Sequence, residues 1–104
     1  GPPRHGLRKE LKKQPILNQL QETTPGLIST STIKLNCAES TFLIEVPYNL
    51  PEIKDRDLGM AMQWQSKMRQ AFRNYFRKGY SITEFFVTTH DAHLRAFYRL
   101  DKKK

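Results

Sequence analysis

From Asp57 to Lys78 the chain has no proline and one glycine, Gly59. Within that stretch Ala61, Trp64, Met68, Ala71, Phe72 and Tyr75 recur at three- and four-residue steps. Such spacing puts all six on one side of an α-helix and on alternating sides of a strand, so it predicts a single amphipathic helix. A helix this long with one greasy stripe must lie on something apolar. Asp55 or Asp57 offers an N-cap, and Gly79 a C-terminal stop. The rest of the chain therefore has to supply a surface for this rod.

The flanking sequence reads as strands. Residues 41–46 place Phe42, Ile44 and Val46 on one face, and Pro47 closes the run. Residues 27–35 are rich in β-branched side chains and follow the turn signal Pro25-Gly26. They are expected to form a hairpin with 41–46. Residues 48–54 read as a loop holding Pro51. After the helix, residues 81–89 form a strand, 90–95 a loop and 96–100 a short last strand. A strand–helix–strand crossover makes its flanking strands run parallel. The expected fold is α+β: a small mixed β-sheet, ordered β-β-α-β-β, with one long amphipathic helix on one face. Residues 27–100 form the domain. Residues 1–26 read as a basic linker with weak helical character, its Gly1-Pro2 resembling a tag-cleavage remnant. Residues 101–104 read as a charged tail.

At 104 residues and 38% hydrophobic content, the chain can build one modest core. No apolar run approaches the roughly 20 residues of a membrane helix, so no membrane partner is expected. Cys37 is the single cysteine, which excludes an internal disulfide and suits a reducing, cytoplasmic setting.

The net charge of +8 favours anionic partners. Some of it sits in the tails, at Arg8, Lys9, Lys12, Lys13, Lys103 and Lys104. The rest is organised. Arg69, Arg73 and Arg77 are spaced i, i+4, i+8 opposite the apolar stripe, flanked by Lys67 and Lys78. No acidic residue lies between Asp57 and Glu84 to neutralise them within the helix. These five residues are a candidate anion-binding or nucleic-acid-binding face. The alternative is a solvated face whose long stems cover apolar surface. Aromatics beside basic residues, as in 72–77 and 97–99, add base stacking to the nucleic-acid option. His90 and His93 flank Asp91 without further ligands nearby in sequence, so no metal site is expected. Glu45 and Glu84 sit in strands and could face each other as a weak carboxylate pair.

The helix end carries a family resemblance. The pattern Met68-x-x-Ala71-x-x-x-Tyr75-x-x-x-Gly79-Tyr80, before an aromatic-rich strand, resembles the closing segment of GNAT acyltransferases. Residues 43–47, 62–69 and 76–85 are similar to the C-terminal part of a group of predicted GNAT proteins, and the likeness spans residues 41–100. It implies that the chain is the final strand–helix–strand–strand of that fold, with the last two strands antiparallel. It further implies a parent enzyme moving an acyl group, such as acetyl, from CoA to an amine. Tyr75 matches the tyrosine that acts there as general acid toward the leaving thiolate; its place on the apolar stripe equally suits a core tyrosine. Two departures stand out. Met68 replaces a frequent asparagine. The Arg/Gln-x-x-Gly-x-Gly/Ala loop that cradles the acyl-CoA pyrophosphate is missing. No cofactor is therefore expected to bind this chain alone. Acetyl-CoA would belong to the parent, whose N-terminal acyltransferase half would be the natural partner. A half-fold also leaves a sheet edge open, which invites a homodimer by edge pairing. The contrasting reading is a basic, non-enzymatic module that binds nucleic acid or an acidic protein.

Overall fold

A computed structural model describes residues 14–103. The expected basic linker of residues 1–26, with its weak helical character, lies partly outside that range, while Leu20–Thr24 within it is a strand, β1. Pro25-Gly26 turns the chain into β2, Leu27–Thr30, which pairs antiparallel with β1. Gly26 adopts φ +81°, and a side chain there would collide with the Glu52–Arg56 ion pair.

β3 spans Thr41–Val46. A short helix α1, Leu50–Arg56, follows where a loop is expected. Its start tolerates Pro51, because the first helical turn has no use for that N–H. α2 runs from Leu58 to Arg77. Asp57 serves both helices: its N–H bonds the Ile53 carbonyl at 2.7 Å, and its side chain accepts from the Met60 N–H at 3.0 Å. Past the C-cap Lys78, the Gly79 N–H bonds the Phe76 carbonyl at 3.1 Å, and its φ of +95° turns the chain out of the helix. β4 is Tyr80–His90 and β5 is His93–Lys102. Only Asp91-Ala92 separates them, both at positive φ, as a type I′ turn requires. The expected loop 90–95 is therefore a two-residue turn. The charged tail also shrinks: Asp101 pairs with Thr41 and Ser81 inside the ladder.

The architecture is α+β, with a three-stranded sheet in the order β3-β5-β4 and a separate β1-β2 ribbon. All named strands pair antiparallel; among the described residues the parallel component is one bridge, Ile16 to Leu43. β3 and β4 thus run the same way, as the crossover requires, but with β5 inserted between them.

The expected hairpin of 27–35 with 41–46 does not form, for a visible reason. The outer edge of β3 is already taken by residues 15–18. Leu43 donates to the Pro15 carbonyl at 2.8 Å and accepts from the Leu17 N–H at 2.9 Å. One residue pair on, the Asn18 carboxamide bonds both backbone groups of Glu45, at 2.9 and 2.8 Å. Its amide also reaches the Thr30 hydroxyl at 2.9 Å. β2 must therefore fold back on β1.

α2 lays Ala61, Trp64, Ala71 and Tyr75 against the sheet. They meet Phe42, Ile44 and Val46 of β3, and Ala96 and Leu100 of β5. A smaller cluster, Leu43, Phe86 and Phe97 with Ile16, lies on the other face. No helix among the described residues is long and apolar enough to cross a membrane.

Trp64 joins helix, sheet and ribbon. Its indole N–H donates to the buried Ile28 carbonyl at 2.7 Å. Trp64→Phe keeps most of the ring burial but strands that carbonyl, which costs about 1–3 kcal/mol. The expected result is a lower urea midpoint with an unchanged slope; equal midpoints would show that this bond does not anchor the ribbon.

Candidate functional site

α2 exposes Arg69, Arg73 and Arg77 along one side, each about 6 Å further along the axis. They line an open groove of about 390 Å³ with Leu35, Ser66 and Asn74. Its far wall is the connector that follows β2, residues 31–40. Three side chains tie that connector and the end of β2 to the helix. Asn74 and the Lys78 ammonium both donate to the Leu35 carbonyl, each at 2.7 Å, and Lys67 donates to the Thr30 carbonyl at 3.2 Å. The five predicted basic residues thus divide. The arginines present their charge to the groove, with no carboxylate in its lining, while both lysines use theirs on backbone carbonyls.

Tyr75, next to Asn74 on α2, belongs to the core instead. Its ring is fully buried and packs on Phe42 at 4.5 Å and Tyr80 at 5.4 Å. Its hydroxyl donates to the Lys34 carbonyl at 2.6 Å and accepts from the Cys37 N–H at 3.2 Å. Tyr80 reinforces the same segment, donating to the Glu39 carbonyl at 2.7 Å. Burial pushes both phenols above the ordinary tyrosine value of 10.0. At neutral pH each is an O–H donor held inside the fold, and the phenolic proton of Tyr75 is committed to the connector.

The other candidates are not brought together. Glu45 and Glu84 are separated by β5. Glu45 is instead clasped by Arg95 through two parallel bonds of 2.8 and 2.9 Å, and Glu84 lies 4.0 Å from Arg99. His90 and His93 face each other at the hairpin end, with the His90 imidazole 3.3 Å from Asp91. Among the described residues no three His, Cys, Asp or Glu side chains cluster as metal ligands would.

The Glu45–Arg95 pair is a feature that sequence reasoning missed. Glu45 is nearly buried, and Arg95 lies over the Phe97 ring at 5.1 Å. The bidentate bonds to Glu45 raise the hold of Arg95 on its proton, against the opposing effect of burial. The pair borders an open groove of about 960 Å³ that also reaches Asn18, Lys34 and His93. Nothing in the residue types announces it, because Arg95 reads as loop until the two-residue turn extends β5. Asp101 is a second such residue. Partial burial works to raise its carboxyl, but hydrogen bonds from Thr41, Thr83 and Arg99 outweigh that and hold it below the ordinary range.

Tyr75→Phe removes two hydrogen bonds to the connector and is expected to cost about 1–3 kcal/mol. It has a pH signature as well. A phenol whose pKa is higher folded than unfolded stabilises fully below the unfolded value and loses that contribution as pH rises toward the folded one. The urea midpoint of the wild-type protein should therefore fall above pH 10.0, and Tyr75→Phe should flatten the fall; identical slopes would refute the assignment. Compared with family models, curated proteins and solved structures, the chain matches none.

Proposed function

We propose that this chain is the C-terminal part of a GNAT-type N-acyltransferase, supplying scaffold and one wall of the acceptor site. The observation behind the reading is the unit β3–α2–β4–β5. The segment with the sequence resemblance folds as a strand, the short helix α1, a long helix, and two final antiparallel strands. The helix stops at Gly79, and Tyr80 turns back into the core, where the motif places its Gly-aromatic pair.

The chain's own residues limit what it does alone. Its described glycines, Gly26, Gly59 and Gly79, form no phosphate-cradling loop before a helix. Acetyl-CoA binding therefore falls to the N-terminal half of the parent. Tyr75 holds the proton suited to the leaving thiolate, and donating it requires the Lys34 carbonyl to release the hydroxyl. In this reading the connector is what the parent must move.

Calorimetry tests the division of labour. Acetyl-CoA titrated into this chain should give no binding heat, whereas the parent polypeptide should bind it. Micromolar binding by this chain alone would overturn the half-fold assignment, and a parent that fails to bind would end the acyltransferase reading.

A second reading rests on the groove of Arg69, Arg73 and Arg77. Three unneutralised guanidinium groups about 6 Å apart along a helix can each meet a phosphate of a nucleic-acid backbone. Fluorescence anisotropy with a mixed oligonucleotide pool distinguishes it. Binding should weaken steeply with salt, and replacing all three arginines by glutamine should lower the log–log salt slope by about 2–3. Salt-independent or absent binding would remove this reading.

A further inference from the structure

The two edges of the three-stranded sheet differ. That of β3 is occupied by residues 15–18. That of β4, the longest strand, has no neighbour among the described residues. β4 reads Tyr-Ser-Ile-Thr-Glu-Phe-Phe-Val-Thr-Thr-His, without the lysine, arginine or proline that usually blunts an edge.

The β-hairpin shows which backbone groups face outward. Across a two-residue turn the flanking pair, His90 and His93, is the hydrogen-bonded one. Bonding then alternates along the ladder. Phe86 and Thr88 bond to β5, so Phe85, Val87 and Thr89 aim their N–H and C=O groups at the open edge. Their side chains lie on the helix side, since Phe85 and Val87 pair with Tyr98 and Ala96. α2 does not reach them: Phe85 is 52% exposed, Val87 48% and Leu94 49%. Phe85 also begins a chain of rings through Tyr98 and Phe72 to the exposed Phe76, with spacings of 4.8, 5.3 and 5.9 Å.

We infer that β4 pairs with β4 of a second copy, antiparallel about a two-fold axis through Val87, joining the two sheets into one. Only this register uses all three outward residues: Val87 opposite itself, and Phe85 opposite the second copy's Thr89. Centring on Phe85 runs the pairing into the bulge between Ile82 and Glu84, and centring on Thr89 runs it into the turn. The chosen register also gives Glu84 a partner. It sets Glu84 opposite the second copy's His90, twice by symmetry, where centring on Phe85 would set Glu84 against a phenylalanine. Among the described residues Glu84 has an ion-pair partner in Arg99 at 4.0 Å, and His90 in Asp91 at 3.3 Å. A second copy is the occupant that supplies both the strand and an imidazole to hydrogen-bond Glu84. The inference is independent of the acyltransferase reading, because it uses only the strand geometry.

Sedimentation equilibrium of the chain should show a monomer–dimer equilibrium. Val87→Lys should raise the dissociation constant by more than about tenfold, while Met62→Lys, a more exposed site on α2 outside the ring chain, should not. Circular dichroism confirms that each variant is folded. The register has its own test in a Cys37→Ser background. Val87→Cys should oxidise to a covalent dimer, because a hydrogen-bonded antiparallel pair has Cα atoms about 5.5 Å apart, inside the disulfide range. Phe85→Cys, opposite a threonine, should not. A monomer at every concentration, a dimer indifferent to Val87→Lys, or equal cross-linking of both cysteine variants would overturn the proposal.

Discussion

α2 is held on the sheet by a line of side chains that combine burial with hydrogen bonding, and the other elements take their places from that line. Ala61 and Ala71 let the helix approach closely. Trp64 and Tyr75, each one turn or so from an alanine, fill the space beside them. Burying such rings contributes on the order of 1.5–3 kcal/mol each. What makes these two unusual is the polar end. Each carries one hydrogen-bonding group into the core, and each uses it on a backbone segment remote in sequence: Ile28 for Trp64, Lys34 and Cys37 for Tyr75. A segment with no regular structure of its own, residues 31–40, is thereby fixed by helix side chains.

That arrangement explains why the candidate sites lie where they do. The arginine groove exists because the connector stands beside α2 as a second wall, and the connector stands there because Tyr75, Asn74 and Lys78 hold its carbonyls. The apolar patch on β4 exists because α2 covers β3 and β5 but, beyond Tyr80, leaves Phe85 and Val87 of β4 exposed. Both are consequences of one docking geometry. The helix face toward the sheet determines the connector, and the sheet width the helix cannot cover determines the open edge.

The sequence disclosed the elements that a strong local pattern determines. The stripe from Ala61 to Tyr75 names its helix, Asp57 and Gly79 bound it, and the alternation of Phe42, Ile44 and Val46 names a strand. It hid those set by competition between segments. Residues 27–35 look like the natural partner of β3, yet Asn18 and its neighbours occupy that edge first, and an asparagine carboxamide standing in for a strand's backbone has no sequence signature. The short turn at Asp91-Ala92 was equally hidden. Ala92 at φ +64° is not a residue that turn rules select, so sequence rules start β5 later than it starts. Losing β5's first residues concealed Arg95 and with it the buried pair with Glu45. Of the candidate site residues, the positions of all three groove arginines follow from helical period alone; the duties of Lys67, Lys78 and Tyr75 depend on a connector whose path only tertiary structure reveals.

Native-state hydrogen exchange addresses the docking of α2 most directly. If helix and sheet form one packed body, the amides of Trp64, Ala71 and Tyr75 and those of Ile44, Phe97 and Leu100 open together, with a single free energy equal to that of global unfolding. The β1–β2 ribbon, tied on by few contacts, opens at lower free energy. Helix amides that exchange well before those of β3 and β5 would mean that α2 is not docked as described, and the connector, groove and edge geometry would lose their common basis.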